Sequence, residues 1–414
     1  MSTIDEPAAL ARLRAIVPPT VRQACATLAA RGHVAVCVGG AVRDALLGRD
    51  PGDWDVASSA LPEEIIAIFP RTIPTGLQHG TVTVLLGHGE ARLPVEITTF
   101  RGEGEYLDAR RPSSVTLGVP LHEDLARRDL VVNAIAYDPI AEQLVDPFGG
   151  VADVQAKRLR AVGDPLARFT EDGLRVMRAV RFAATLAFDL EPATEAAIAP
   201  ALPSLVRVSR ERVHDELNKL LGAPQPSRGL VPAQRTGILA SILPELSPRA
   251  GWLDAIDACP AEPSTVRLAV LLRDVAPAAR EPALRRLTFA NAVRDRAVKL
   301  AAAAALGDGA AADERLVRRA LAAVGRAGGA EAAAMWRGVG RADLAALADT
   351  ILARGDALAA SDLVLGGGDL IAALALPRGP AVGKLVAQLV DAVLDEPALN
   401  TADALLARAR ALLT

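Results

Sequence analysis

The hydrophobic period of the chain changes once, near residue 150. Before that point short β-branched runs alternate with brief helical stretches; beyond it the apolar spacing is helical almost throughout. Residues 34–38 (VAVCV) form a run that stops at Gly39-Gly40, and 43–47 then read as helix, giving strand, glycine turn and helix in order. Further strands are predicted at 81–86, 93–99 and 131–137. The mixed signals end at the breaker-rich DPFGG of 146–150. Amphipathic helices are predicted at 153–159, 170–187 and 209–221, followed by a linker at 222–232. Helical segments continue at 263–275, 281–305, 312–325, 343–354 and 379–395. This pattern predicts an α/β head followed by a long all-α remainder.

Composition removes several function classes. At roughly 100–200 residues per domain, 414 residues make two to four units. A chain that is 51% apolar and 23% charged is not disordered. Aromatics are only 3% of residues, which argues against a platform that stacks successive single-stranded bases. A net charge of -3 argues against a uniformly basic nucleic-acid coat, though not against a local basic track. Cys25, Cys37 and Cys259 are scattered and odd in number, so no disulfide framework or four-ligand zinc site is expected. Asp5, Glu6 and Pro7 do not read as a secretory signal, and no apolar run reaches the roughly 18 residues of a membrane span. A soluble cytoplasmic protein is expected.

Three constellations bear on chemistry. The first is Gly39-Gly40-Ala41-Val42-Arg43-Asp44 with Asp53-Trp54-Asp55. A glycine turn opening a helix presents N–H groups at the positive end of the helix dipole, which suits a phosphate chain. Asp53 and Asp55 put two carboxylates on one side of a strand, and two hard oxygen donors there suit Mg²⁺ held jointly with a nucleotide. The same residues would also serve a plain turn capped by Asp53. The second is Arg127-Arg128-Asp129, which follows Glu123-Asp124. It reads either as a solvated charge cluster or as an arginine on a triphosphate or ribose, oriented by an aspartate.

The third runs from Phe169 to Arg181. Thr170 is a candidate N-cap with acids in the first turn, and Asp172, Arg175 and Arg178 recur along one side of the expected helix. Between 157 and 181, seven basic residues (Lys157, Arg158, Arg160, Arg168, Arg175, Arg178, Arg181) outnumber three acids (Asp164, Glu171, Asp172), forming a local basic track. An aspartate only accepts and an arginine only donates, so the pair matches the amino group beside a ring-nitrogen acceptor of cytosine or adenine. Uracil and guanine present the reverse order and would leave groups unpaired, at about 1–3 kcal/mol each.

The ordered series GGAVRD…DWD, TGLQHGTVTV, EDLARRDLVVNAIAYD, VGDPLARFTEDGLRVMRAVRFA and SRERVHDELNKLL, over about residues 34–221, resembles the class II tRNA nucleotidyltransferases. These are the bacterial CCA-adding enzymes and their poly(A) polymerase relatives. Gly368-Asp369-Leu370 and the stretch 379–384 resemble the family's tail. The resemblance implies an elongated multi-domain chain. It would have a polymerase-β-like nucleotidyltransferase head (1–155), a helical neck bearing the nucleobase template (156–225), a body (226–330) and a tail (331–414). It implies Asp53 and Asp55 as catalytic metal ligands for Mg²⁺, with Glu96 as a third catalytic carboxylate. Nucleotide contacts are implied for Gly39, Gly40, Arg43, Arg127 and Asp129, a C/A template for Asp172 and Arg175, and a continuing nucleotide-facing side for Arg178 and Arg181. The implied activity is Mg²⁺-dependent addition of CMP, CMP and AMP to the 3′ acceptor end of tRNA from CTP and ATP. No nucleic-acid template, membrane or obligate protein partner is expected.

Within the family, the full-length loop at 100–112 favours complete CCA addition over CC-only activity, because switching from C to A needs a mobile lever. An A-adding enzyme would keep that loop too. The GGAV and GTVTV segments look more like CCA enzymes than poly(A) polymerases. Some relatives carry a histidine-ligated hydrolase site; here Arg273 stands before Asp274 and no histidine follows His214, so no such activity is expected. A catalytically inactive tRNA-binding relative is the remaining alternative, and it would be expected to lose the metal carboxylates first.

Overall fold

Strand β1 (Ala35–Val38) is apolar at every position because both of its faces are covered. Ala35 and Cys37 point into one core with Leu13, Leu28, Val42, Val56 and Ile97. Val36 and Val38 point into a second, with Ala57, Phe100, Leu125 and Val131. Side-chain alternation with both faces buried removes any need for a polar position in such a strand. The computed structural model describes residues 6–87, 93–102, 116–306, 308–309 and 311–413. Most of the 100–112 loop therefore lies outside the described residues.

The chain divides into two compact units, residues 1–220 with 228–241, and 221–227 with 242–414. In the first, β1 joins β2 (Asp55–Ser58), β3 (Thr72–Gly76), β4 (Thr81–Leu86), β5 (Leu93–Thr99), β6 (Ala136–Asp138) and β7 (Gln143–Val145). They form one mixed sheet in the order β3-β4-β5-β2-β1-β6-β7. The β2–β5 pair is parallel and the other pairs are antiparallel. Helices α1 (Glu6–Ile16), α2 (Pro19–Ala29), α3 (Gly40–Leu46) and α4 (Pro62–Ile68) contribute buried residues to the first core. Helix α5 (Leu121–Ala126) contributes Leu125 to the second.

Register places the chemistry. Val38, the last residue of β1, pairs with Asp55, the first of β2. The Gly39-Gly40 turn therefore emerges beside that carboxylate. On the other side Asp55 pairs with Glu96 of β5.

Several predicted elements need correction. The strand expected at 131–137 is a 3-10 turn at Val131–Asn133 followed by the short β6. Asp129 folds this segment by accepting the Leu130 N–H and the Asn133 amide. The helix expected at 153–159 is α6 (Gly150–Gln155). It stops because Lys157 takes φ +51°, and β8 (Arg158–Leu159) then pairs with β9 (Asp189–Leu190). The helix expected at 170–187 is two helices, α7 (Pro165–Glu171) and α8 (Leu174–Leu186). Asp164 caps α7, and Thr170 lies within it with its hydroxyl bonded to Leu166 O. Gly173 separates the two helices where a Cβ would stand 2.2–2.4 Å from the backbone of Ser204 and Leu205.

Helices α9 (Pro192–Ala196), α10 (Ile198–Val206) and α11 (Arg210–Leu221) follow. The predicted linker at 222–232 already contains the start of α12 (Ser227–Arg235). In the second unit, helices Thr265–Arg273, Asn291–Leu306, Gly329–Gly338 and Ala342–Arg354 pack together. The helix expected at 281–305 breaks after Arg286, where Thr288 takes φ +58°. A separate small core gathers Leu370, Leu385, Leu389 and Leu405 from Gly367–Leu374, Pro380–Asp395 and Ala402–Leu413. A mixed-sheet head followed by helices is the fold class that the sequence predicts. No described helix is long and apolar enough to cross a membrane.

Candidate active site

A cavity of about 750 Å³ in the first unit gathers Gly39, Gly40, Arg43, Asp53, Asp55, Arg127, Asp129, Asp172, Arg175, Arg178 and Arg181. Of the residues given a catalytic or nucleotide-binding role from the sequence, Glu96 is the one that does not line it.

At one end are the carboxylates. Trp54 is buried in the first core, while Asp53 and Asp55 on either side of it, just before and at the start of β2, keep surface open to solvent. Burial pushes the Asp55 carboxyl up; the Glu96 and Asp53 charges add to this and Arg128 opposes them. A site that crowds carboxylates this way is relieved by a cation. Among the described residues, no group of three or more His, Cys, Asp or Glu side chains could hold a metal ion alone. Asp53 and Asp55 supply two hard oxygen donors, a set that fits a cation taking its remaining oxygens from a bound ligand.

Next to the carboxylates lies a group of arginines. Gly39 has φ +78°, a backbone conformation that favours glycine, and a Cβ there would meet the tip of Arg128, 3.0 Å from Nη1. Arg128 donates to Asp124 at 3.2 Å. Burial, with the Arg127 and Arg128 charges added, lowers Arg101 to about 10 against the pull of Asp124. Cations crowded at this density favour an anionic ligand.

The far wall is α8. Arg178 Nε donates to Asp129 Oδ2 at 2.7 Å. Burial alone would raise Asp129, but Arg178, Asn133 and the Leu130 N–H bring it down to about 2. Arg181 is paired with Glu216, and Arg43 with Asp44 and Asn133. All three guanidiniums gather about one ring: Arg181 Cζ lies 3.8 Å from the Phe182 centroid, Arg43 Cζ 5.1 Å and Arg178 Cζ 5.4 Å. Each such contact is worth about 0.5–2 kcal/mol, more as water is excluded.

Asp172 and Arg175 both line the cavity, but not as neighbours on one helix face. Asp172 lies in extended backbone at the end of α7. Its carboxylate accepts the Leu174 N–H at 3.0 Å and pairs with Arg212 of α11 at 2.8 Å. Arg175 is buried and donates to Arg168 O at 2.9 Å, Glu171 Oε2 at 2.6 Å and Arg127 O at 3.0 Å. Three of its five N–H groups are thus engaged.

The basic track also needs correction. Arg158 and Arg160 both pair with the buried Asp153, and Arg168 pairs with Glu171. Only Arg175, Arg178 and Arg181 of the seven cations reach the cavity. In the second unit, Arg273 pairs with Asp308 and Asp274 with Arg249, while Arg285 and Arg286 are held by Glu281 and Glu245. Sequence reasoning assigned no role to Arg101, Asn133, Leu174, Phe182, Arg212 and Lys219, which complete the lining together with Asp124 and Arg128 of the second constellation. Arg212 and Lys219 lie within the SRERVHDELNKLL segment, but nothing in it pointed to Asp172, 40 residues away, as the partner of Arg212.

Residues 35–160 match the poly A polymerase head domain, and residues 187–249 match a probable RNA and SrmB-binding site of polymerase A. The crystal structure of the Bacillus stearothermophilus CCA-adding enzyme in complex with CTP superposes with a TM-score of 0.79 at 33% identity, covering 96% of this chain and 99% of that one. The chain belongs to the CCA-adding enzyme family. Curated CCA-adding enzymes of Geobacillus thermodenitrificans and Geobacillus stearothermophilus are 49% identical over 222 residues and 50% identical over 209 residues. These matches cover 54% and 50% of this chain, and the chain spans about half the length of each of those CCA-adding enzymes (54% and 50%).

Proposed function

We propose that the chain is a CCA tRNA nucleotidyltransferase, adding CMP, CMP and AMP to the 3′ end of tRNA from CTP and ATP without a nucleic-acid template. The observation that carries this reading is the convergence in one cavity of paired carboxylates, a glycine turn and the Asp172/Arg175 pair. The names of its relatives support the choice of CCA addition over poly(A) synthesis.

Asp53 and Asp55 would hold Mg²⁺, which when bound neutralises phosphate charge and eases ionisation of the attacking hydroxyl. The Gly39-Gly40 turn and Arg43 receive the triphosphate, with Arg127 and Arg128 beside them. Asp129 fixes Arg178 toward the sugar and phosphates, and Arg181 extends the same wall. Asp172 accepts from the exocyclic amino group of the base, while Arg175 donates to its ring nitrogen through N–H groups beyond the three engaged. The 3′ hydroxyl of the RNA attacks the α-phosphorus in line and pyrophosphate leaves, so no covalent enzyme intermediate is needed. Glu96 stands outside the cavity lining and acts on Asp55 through charge. In this reading the head (1–155) and neck (156–225) carry the chemistry, and body (226–330) and tail (331–414) hold tRNA.

The test is metal-dependent incorporation of labelled CMP into tRNA lacking CCA. Asp53→Ala is expected to reduce incorporation at least a thousandfold while tRNA binding stays within a few-fold of wild type. Unchanged incorporation by Asp53→Ala would defeat the assignment.

A further inference from the structure

We infer that Phe182 is a positioning residue for the nucleotide site, its ring holding Arg43, Arg178 and Arg181 at one spacing so that they meet a triphosphate and its sugar as a set. The inference rests on the reading that the cavity takes a nucleoside triphosphate. Phe182 lines the cavity but is only 6% exposed, and its other side packs into the core that α1 to α4 share. The three guanidiniums come from two elements: Arg43 from α3, and Arg178 and Arg181 from the turn of α8 that precedes the ring.

Each cation has its own acid: Asp44 for Arg43, Asp129 for Arg178 and Glu216 for Arg181. These acids stand on separate segments; Asn133 links Arg43 to the Asp129 that holds Arg178, while Arg181 and its Glu216 are not part of that link. The ring is the contact that all three share. Like charges gathered this closely repel. Burial above all, and the Arg178 charge with it, push Arg181 below its usual value against the pull of Glu216. An aromatic quadrupole in contact with all three cations offsets that repulsion, and a saturated side chain of similar size does not. A position serving only the core would accept Leu or Met as readily as Tyr; a position serving the arginines distinguishes them by the ring.

The experiment uses the full chain as wild type, Phe182→Leu, Phe182→Met and Phe182→Tyr. Single-nucleotide addition to tRNA is measured with CTP and with ATP, alongside thermal unfolding and equilibrium binding of CTP. Phe182→Leu and Phe182→Met are expected to raise KM for both nucleotides about tenfold, equivalent to about 1.4 kcal/mol, with kcat within threefold. Phe182→Tyr is expected to stay within threefold of wild type in both constants. The proposal is overturned if the ring-less variants keep KM and CTP affinity within twofold. It is also overturned if Phe182→Tyr is as impaired as Phe182→Leu, or if the losses follow unfolding temperature rather than the ring. Wild type that binds CTP but incorporates nothing defeats the catalytic reading alone, and the CTP affinities of the four proteins then still decide this one.

Discussion

Asp129 is buried, and burial opposes its charge, yet Arg178, Asn133 and the Leu130 N–H hold it at about 2. A carboxyl with a lowered folded-state value stabilises the protein above its unfolded value of about 3.9, and loses that contribution as pH falls through the folded value. Asp129→Asn is therefore expected to cost about 2 kcal/mol at neutral pH, read from denaturant unfolding. The gap to wild type is expected to close as pH drops from about 4 toward 2. Asp172 tests base selection. An asparagine amide can offer either a donor or an acceptor. Asp172→Asn is accordingly expected to lose about tenfold of the preference for CTP over UTP, in line with one unpaired group, measured as a ratio of kcat/KM. The identities of these residues were legible in the sequence because their chemistry is local. Their pairings were not: Arg212 with Asp172 and Arg178 with Asp129 join distant segments that only folding brings together.

Among the elements, legibility followed how much of the stabilising environment lay within the segment. Strands β4 and β5 were readable to the residue. Strand β3 was not read, since Thr72–Gly76 carries a proline and lies at the sheet edge with little buried. The break between α7 and α8 was hidden because its cause is the backbone of α10, some thirty residues on. Gly173→Ala places a Cβ against atoms that cannot rotate away. A loss of about 1–3 kcal/mol in unfolding free energy is expected, with weaker C-and-A selectivity because Asp172 adjoins the break. Normal selectivity in a destabilised Gly173→Ala would separate the break from the template.

For the whole molecule, the net charge of -3 conceals pairing rather than a bare basic track. Most of its arginines are held by acids in the same unit, as Arg158, Arg160, Arg249 and Arg286 illustrate. The fold class was legible because the change of period near residue 150 is a property of the chain itself. Cavity composition was half legible, because side chains from α5, α8 and α11 meet there only after packing. Asp308 joins Arg249 and Arg273 in the second unit and is not among the residues that line the cavity. Asp308→Ala is expected to lower that unit's unfolding midpoint, less so at high salt, while KM for CTP stays within about twofold.

The central claim is that one cavity selects C and then A without a template. The most direct measurement offers CTP, ATP, UTP and GTP, singly and mixed, to tRNAs ending before CCA, after C and after CC. The account predicts CMP on the first two, AMP on the third, and a halt at CCA in the mixture. Uptake of UTP or GTP as readily as CTP, or continued addition of A beyond CCA, would contradict it.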